Sequence, residues 1–312
     1  MGLDFSSTTD DVLSGLDLHG RIIVVTGAST GLGEETTRAL SACGAHVVMA
    51  VRDLDRGAAA ATRVRATNAE ASLEVRRLDL GSLASVREFA AEFLADHDRI
   101  DVLINNAGVM ACPYGTTIDG FELQFGTNHL GHFLLTNLLV PALLNGTGSR
   151  VVSLSSRGHA FSDIDLSDPN FQRTEYGEFV AYGRSKTANA LFAVGFDRRY
   201  ADQGIHAFSV HPGGIHTELG RHMTPEVLTQ LSGRLSESGR RFNWKTVPQG
   251  AATSVWAATA AELDGHGGAY LENCSVAEVS IVESADTGVR PYALDPRNAE
   301  ALWEYSVTAV DL

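Results

Sequence analysis

Short apolar runs alternate with longer amphipathic stretches along most of the 312-residue chain. The first run, RIIVVTG (21–27), is β-branched, and the stretch EETTRALSACG that follows has the pattern of a helix closed by Gly44. A strand followed by a helix is the first half of a βαβ unit. Further strand-like runs lie between helical patterns at AHVVMAV, LEVRRLDL, IDVLINNAG, SRVVSLSS and IHAFSVHPGG. We therefore expect an α/β fold in which about seven strands form a doubly wound parallel sheet with helices on both faces.

The limits of this alternation suggest a single domain with two extensions. Residues 1–20 are a polar lead-in, and residues 21–285 carry the alternating strands and helices. Residues 214–247 interrupt the alternation with mixed polar and apolar character, which predicts a substrate loop or lid within the domain. We expect residues 286–312 to form a C-terminal extension that packs on the domain.

Composition excludes several classes of protein. With 38 acidic and 24 basic residues the formal charge is −14, which works against nucleic acid or an anionic membrane as a partner. No apolar run approaches the roughly 20 residues of a membrane span, and the N-terminal sequence lacks the pattern of a signal peptide. Cys43, Cys112 and Cys274 are too scattered for a disulfide framework, and His129 and His132 lack a third ligand, so no metal site is predicted. We expect a soluble, cytoplasmic protein.

Glycines at 27, 31 and 33 lie directly between the first strand and the first helix, in TGASTGLG. Without a Cβ the backbone can approach a pyrophosphate closely, and the N-terminus of the helix supplies free N–H donors. Tight turns from strand to helix also use glycine, so the triplet alone leaves both interpretations open. Its position after the first strand of a βαβ series favours a nucleotide site.

Three motifs in order resemble the short-chain dehydrogenase/reductase family. They are TGxxxGxG after the first strand, NNAG (105–108) after the fourth, and Tyr-x-x-x-Lys at Tyr182 and Lys186. GTNHLGHF, HPGGIHTEL and AYLENC further resemble its retinol-dehydrogenase-like branch. Over roughly residues 20–285 this resemblance implies a Rossmann-type fold with a nicotinamide cofactor. The cofactor-binding residues that it implies are Gly27, Ser29, Thr30, Gly31, Leu32, Gly33, Arg52, Asp79, Leu80, Asn106, Ala107, Gly108, Tyr182, Lys186, Pro212, Gly213 and Thr217.

The end of the second strand, MAVRD, bears on the choice between NADP and NAD. Val51 occupies the position where family members that prefer NAD carry an acid, and Arg52 after it can donate paired hydrogen bonds to a 2′-phosphate. Thr30 weakens this argument because it stands where many NADP-dependent members carry a second basic residue. Asp53, directly after Arg52, weakens it as well. We expect NADP, with NAD as the alternative. Asp79 resembles the acid that binds adenine, although an Asp after a strand is also an ordinary helix N-cap.

Tyr182 and Lys186 lie one turn apart on the same face of a predicted helix, so both can serve one site. A nearby cation would lower the pKa of the phenol and so enable acid-base chemistry. By resemblance, Ser156 at the end of a strand orients the substrate oxygen, and Ser155 is the weaker candidate. Asn128 resembles the residue that holds a water beside the lysine; simple capping of backbone groups is the alternative for this Asn. The long interval between Ser156 and Tyr182 suggests an inserted loop at 160–178.

Lysine is rare in this chain, which has only Lys186 and Lys245 among 24 basic residues. Frequent Ala, Gly and Arg indicate a GC-rich genome, which favours a bacterial source. A lysine that escapes this bias at position 186 suggests a requirement for a compact ammonium group rather than a planar guanidinium.

These residues predict hydride transfer between nicotinamide and a carbonyl or alcohol carbon. In the reducing direction Tyr182 would donate a proton to the substrate oxygen, which Ser156 would polarise. Lys186 would lower the pKa of Tyr182 and bind the ribose hydroxyls, and a proton would reach Tyr182 through ribose, Lys186 and a water held by Asn128. By analogy the substrate is a hydrophobic ketone, aldehyde or secondary alcohol.

Two other functions compete with this interpretation. A silent member of the fold could sense a nucleotide or act as a scaffold, although decay of function would be expected to break the Asn, Ser, Tyr and Lys set first. Light-driven protochlorophyllide reduction fits poorly, because none of the cysteines lies in 214–247. A homodimer, a homotetramer and a monomer all stay open.

Overall fold

A computed structural model describes residues 2–222, 243–282 and 287–312 of the chain. The strands in this part of the chain are β1 (Ile22–Thr26), β2 (His46–Val51), β3 (Leu73–Arg77), β4 (Val102–Asn105), β5 (Ser149–Leu154), β6 (Ile205–His211), β7 (Gly214–Ile215), β8 (Trp244–Lys245), β9 (Tyr270–Glu272) and β10 (Ser275–Val276). Eight of these described strands form one sheet in the order β10-β9-β6-β5-β4-β1-β2-β3, and β7 pairs with β8 separately.

Helices cover both faces of this sheet. They are α1 (Thr9–Leu13), α2 (Gly31–Ala42), α3 (Leu54–Thr67), α4 (Leu83–Asp96), α5 (Leu123–Phe125), α6 (Gly131–Leu138), α7 (Val140–Leu144), α8 (Glu178–Tyr200), α9 (Val247–Thr259) and α10 (Pro296–Val310). A π-helical turn, Gly126–Leu130, joins α5 to α6, and short 3₁₀ turns cover Arg157–Phe161, Ala201–Gln203, Glu218–His222, Ala261–Leu263 and Pro291–Leu294.

The apolar runs form strands because their β-branched side chains are buried on both faces of the sheet. In β1, Val24 packs into the core on the side of α4, α6, α8 and α10, whereas Ile23 and Val25 pack into the core on the side of α2 and α9. Both valines are 0% exposed. Alternate residues of one strand therefore support two separate hydrophobic layers, as a doubly wound sheet requires.

The predicted α/β class and parallel pairing are confirmed. Strands β1 to β6 and β9 pair in parallel along the sheet. The short β10 is an addition to the predicted set of about seven, and it pairs antiparallel with β9. The helix expected near 120–145 is divided into α5, the π-helical turn, α6 and α7.

The two ends of the chain pack against the domain. Near the N-terminus, α1 starts with a capping box at Thr8, and its Leu13 is buried in the α2 side of the core. At the other end, Trp303 of α10 stacks on Phe192 of α8, with ring centroids 6.2 Å apart. Most of the predicted substrate loop, residues 223–242, lies outside the described residues. In the part that is described, no helix has the length and apolar character needed to cross a membrane.

Candidate active site

The glycine loop forms a cradle where β1 meets α2. Gly27 and Gly31 adopt φ of 66° and 56°, left-handed values that other residues rarely take. A Cβ at Gly33 would lie 2.3 Å from the carbonyl oxygen of Gly27, so only glycine fits there. No side chain caps the N-terminus of α2 at Thr30, which leaves its first amides available to an anion. This geometry fits the pyrophosphate of a dinucleotide.

Two other predicted cofactor segments border this cradle. Thr217 comes within 3.4 Å of the position that a Cβ on Gly31 would occupy, so the segment after Pro212 faces the glycine loop. Asn106 donates from Nδ2 to the Thr26 carbonyl oxygen at 2.7 Å, which ties the end of β4 to the end of β1. The structure therefore brings residues from three distant parts of the sequence to one edge of the sheet.

At the end of β2, Arg52 is exposed and makes no hydrogen bond or ion pair with the described residues. Asp53, which weakened the case for NADP, accepts the backbone N–H of Arg56 at 3.0 Å and so caps α3. Sequence reasoning missed two further arginines on α3. Arg63 donates to the Ser29 carbonyl oxygen in the glycine loop at 3.3 Å, and Arg56 pairs with Glu218 beyond Thr217. Arg56 and Arg63 are seven residues apart, about two helical turns, which places them on one face of α3. This spacing was the signal in the sequence that could have indicated them.

The structure also separates the two interpretations of Asp79. Its Oδ1 accepts the backbone N–H of Gly81 at 2.9 Å, and Ser82, rather than Asp79, is the N-cap of α4. Leu80 follows in the same turn, where its carbonyl oxygen lies 2.4 Å from the position of a Cβ on Gly131. Asp79 is therefore not the helix cap, and its adenine-binding role stays a prediction.

Tyr182, Lys186 and Ser156 come together under the carboxyl end of β5. Tyr182 and Lys186 are both 4% exposed on α8, and the Lys186 Nζ lies 5.7 Å from the centre of the Tyr182 ring. Ser156 accepts the backbone N–H of Gly158 at 3.0 Å, and its hydroxyl is close enough to Tyr182 to act on the pKa of the phenol. Ser155 points elsewhere and donates to the Lys186 carbonyl oxygen at 2.7 Å. The hydroxyl groups of Ser156 and Tyr182 can therefore contact one substrate oxygen.

Gly158, which sequence reasoning missed, makes room for this arrangement. A Cβ at this position would lie 2.6 Å from Cε1 of Tyr182 and 3.3 Å from Oγ of Ser156. Its neighbour His159 is also new to the site. The Nε2 atom of His159 accepts the backbone N–H of Arg290 at 3.0 Å, so Nδ1 carries the proton and donates to the Ser156 carbonyl oxygen at 2.7 Å. The signal was the short spacing of Gly158 and His159 after Ser156.

The pKa values correct one expectation. Burial raises the pKa of Tyr182 to about 12, although its hydrogen bond with Ser156 acts in the opposite direction. Burial lowers the pKa of Lys186 to about 7, and its Nζ donates to the Leu154 carbonyl oxygen at 2.8 Å. The expected lowering of the Tyr182 pKa by Lys186 is therefore wrong for the free protein. The low polarity of the site disfavours both charged forms, and the ammonium faces a carbonyl rather than the phenol oxygen.

Asn128 lies in the π-helical turn and braces the site. Its Oδ1 accepts the backbone N–H of Val109 at 2.8 Å, while Nδ2 donates to the Val109 carbonyl oxygen and to Ser185. A Cβ on Gly108 would lie 3.1 Å from this Oδ1 and 3.6 Å from the Lys186 Nζ. The side chain thus bonds backbone groups, as the alternative interpretation expected, and its part in holding a water stays a prediction.

The two histidines of the same region pack in the core. His129 contacts Ser306 at 2.8 Å, and His132 contacts Thr26 at 2.8 Å and the carbonyl oxygen of Asn128 at 2.9 Å. Burial lowers their pKa values to about 3 and about 4, so both imidazoles are neutral. These hydrogen bonds join the π-helical turn to Ser306 of α10 and join α6 to Thr26 of β1.

Lys245, the second lysine of the chain, is also buried beside the predicted cofactor segment. It is 5% exposed, and its side chain comes within 2.8 Å of the position of a Cβ on Gly213, whose φ is 100°. Its Nζ lies 4.8 Å from the centre of the Phe5 ring. Both lysines of the chain are thus buried. The rarity of lysine therefore marks two buried positions and does not by itself single out Lys186 as catalytic.

Comparison with known proteins agrees with this geometry. A model of the short chain dehydrogenase family matches residues 21–227. The short-chain dehydrogenase/reductase prx1 of Penicillium rubens is 41% identical over 99% of this chain and 92% of its own length. Human retinol dehydrogenase 13 is 40% identical over 95% of this chain and 86% of its own length, which confirms the resemblance to the retinol dehydrogenase branch.

Solved structures give the same result. An uncharacterized protein from Mycobacterium paratuberculosis is 36% identical, with a TM-score of 0.74 over 98% of both chains. The RhlG/NADP active-site complex of Pseudomonas aeruginosa is 25% identical, with a TM-score of 0.65 over 87% of this chain and 97% of that one. The similar proteins come from fungi, mammals and bacteria, so the expected bacterial source stays a prediction.

Proposed function

Because the chain belongs to the short-chain dehydrogenase/reductase family and is an NAD(P)-dependent oxidoreductase, we propose that Tyr182 is its general acid and base. The observation that carries this proposal is the burial of Tyr182 and Lys186 beside the half-buried Ser156 at the carboxyl end of β5. In open α/β sheets this edge is where ligands bind. The reaction is reduction of a carbonyl group or oxidation of the corresponding alcohol.

The roles of the side chains follow from their environment. With a pKa of about 12, the Tyr182 phenol stays protonated at neutral pH and can donate its proton to a carbonyl oxygen. The Ser156 hydroxyl, fixed by Gly158, donates a second hydrogen bond and polarises the same carbonyl. Lys186 has a pKa of about 7 and can return a proton towards Tyr182 at neutral pH. A bound nicotinamide supplies or accepts the hydride, and this chain orients the substrate and moves the proton.

Tyr182→Phe tests the central assignment with a matched control on the same helix. The variant removes only the hydroxyl, so turnover should fall by at least a hundredfold while cofactor affinity changes little. Tyr200→Phe, near the C-terminal end of α8, should keep full activity. Residual turnover of Tyr182→Phe equal to that of the wild type would exclude Tyr182 as the proton donor. An unaffected cofactor affinity with no turnover in either protein would favour a silent nucleotide-sensing member of the fold.

We propose NADP as the preferred cofactor. Arg52 is exposed and unpaired within the described residues, Asp53 is engaged in capping α3, and Arg63 reaches the glycine loop from α3. Arg52→Ala should therefore reduce NADPH affinity at least tenfold and leave NADH affinity nearly unchanged. Arg65→Ala, in the last turn of α3, is the control. A wild type that prefers NADH in the same titration would overturn this preference.

We propose a hydrophobic substrate because relatives such as human retinol dehydrogenase 13 are named for a lipophilic alcohol. The loop that leaves the site after Gly108 agrees with this, since Val109 and Met110 are half-buried and Cys112 is buried. A panel of lipophilic and small polar carbonyls with NADPH tests the proposal, and turnover confined to the polar set would refute it. A cytoplasmic location and the oligomeric state stay predictions.

A further inference from the structure

A second cluster of ligating side chains lies far from the proposed active site. His46 is the first residue of β2, Glu74 is the second residue of β3, and His97 is the C-cap of α4. The ligating atoms of the three residues lie within 4.8 Å of one another. β2 and β3 begin here, at the amino ends of the parallel strands, whereas the proposed active site lies at the carboxyl ends. The cluster therefore has no place in the proposed reaction.

Both imidazole rings aim at a single carboxylate oxygen. Nε2 of His97 lies 2.9 Å from Oε2 of Glu74, and Nε2 of His46 lies 3.4 Å from the same atom. Two histidines and one carboxylate form one of the common three-residue ligand sets for zinc, with a water in the fourth position. Ligands of a tetrahedral zinc ion are about 3.3 Å apart, given bonds of about 2.0 to 2.1 Å. The two distances to Oε2 are within about 0.4 Å of this value, and the two imidazole nitrogens lie within 4.8 Å of each other.

Neighbouring groups hold the ligands in the orientation that such a site needs. Nδ1 of His46 contacts Oγ of Ser72 at 2.8 Å, which fixes the ring and leaves Nε2 free to face Glu74. Arg76 hydrogen-bonds to Oε1 of Glu74, so the other carboxylate oxygen, Oε2, faces the two histidines. The His97 ring stacks on Phe93, with centroids 4.7 Å apart. Each ligand therefore has a partner that restricts its rotation.

We propose that His46, Glu74 and His97 form a zinc site in which water takes the fourth coordination position. The ion would link the outermost strands of this end of the sheet, β2 and β3, to the C-terminal end of α4. Binding to the folded chain alone stabilises it by mass action, so zinc should raise the melting temperature without altering turnover. Spacing along the sequence gave no sign of this site, because its ligands come from three separate elements 28 and 23 residues apart.

Zinc titration of the untagged, chelator-treated protein against a chromophoric zinc indicator tests the proposal. The wild type should bind one equivalent per chain, and zinc should raise its melting temperature. His97→Gln should lose more than tenfold in zinc affinity, and Ser72→Ala, which removes only the partner of His46, should lose roughly tenfold. Cobalt substituted for zinc should give visible d–d bands that His97→Gln lacks.

His206→Gln is the matched control. Nδ1 of His206 lies 3.1 Å from Oδ1 of Asp197, a histidine–carboxylate contact like those of the cluster, but this pair belongs to no three-ligand group in the described part of the chain. This variant should keep full zinc affinity. Wild-type protein without stoichiometric binding, or His97→Gln with wild-type affinity, would reduce the cluster to ordinary hydrogen bonds. If His97→Gln fails to fold, an unchanged zinc affinity in Ser72→Ala would likewise overturn the proposal.

Discussion

Lys186 should make the stability of this protein depend on pH in a way that a single substitution can reveal. The residue is 4% exposed, and burial lowers its pKa from 10.5 to about 7. Between these two values the folded chain binds fewer protons than the unfolded chain. The free energy of unfolding contributed by Lys186 therefore rises with pH across this window.

The size of the effect follows from the two pKa values. At pH 7 the shift disfavours the folded wild type by about 4 kcal/mol, and at pH 9 by about 2 kcal/mol. Lys186→Met removes the titrating group and keeps a side chain of similar length. It also removes the 2.8 Å hydrogen bond to the Leu154 carbonyl oxygen, which still accepts from Nδ2 of Asn189 at 2.9 Å, so the loss is about 1 kcal/mol and does not change with pH. The difference in unfolding free energy, variant minus wild type, should thus fall by about 2 kcal/mol between pH 7 and pH 9.

Urea denaturation of the cofactor-free proteins at pH 7, 8 and 9 measures this difference. Groups that titrate alike in both proteins, including the histidines, cancel in the subtraction. Arg198→Met, an exposed basic position on the same helix, should show a difference that is constant over this range. A difference between Lys186→Met and wild type that is equal at pH 7 and pH 9 would refute a lowered pKa for Lys186, whatever its absolute value.

Three further predictions concern catalysis. Lys186→Arg should lose most of the activity although it keeps the charge, because Leu154 and Gly108 leave room for a compact ammonium but not for a guanidinium. Arg198→Lys is the control. A near-normal kcat in Lys186→Arg would contradict this prediction. Gly158→Ala should lower kcat more than cofactor affinity, because its Cβ would displace the Tyr182 ring, and an unchanged kcat would show that the ring tolerates the methyl group. Oxidation of the alcohol needs the phenolate, so its rate in steady-state assays should increase from neutral to alkaline pH, and a rate that falls over this range would argue against a base with a pKa of about 12.

The hydrophobic pattern was sufficient for the fold class because a parallel sheet buries both faces of every strand. Runs such as IIVVT in β1 have no polar alternation, and only a sheet covered by helices on both sides accommodates them. Two elements escaped this reasoning. The π-helical turn at Gly126–Leu130 carries Asn128, which contacts Val109 in a separate loop, and β10 is a strand of two residues, too short to leave a pattern.

The sequence by itself determined which chemical groups are available and roughly where along each element they stand. The glycine loop and the pair Tyr182 and Lys186 were recognised this way, because their spacing is set by local geometry within one turn or one helix. Ser156 was assigned by resemblance to the family. Their assembly at one edge of the sheet followed from the parallel strand order.

Only the tertiary structure decided the environment of these groups. Burial raises the pKa of Tyr182 and lowers that of Lys186, opposite to what their spacing alone suggested for the tyrosine. Gly158 is recognised as a site residue only from its contact with the Tyr182 ring. The hydrogen bond by which Asp53 caps α3 shows that its carboxylate is engaged there, which the sequence alone did not reveal. Desolvation and steric contact depend on residues that are remote in sequence, so no local pattern encodes them.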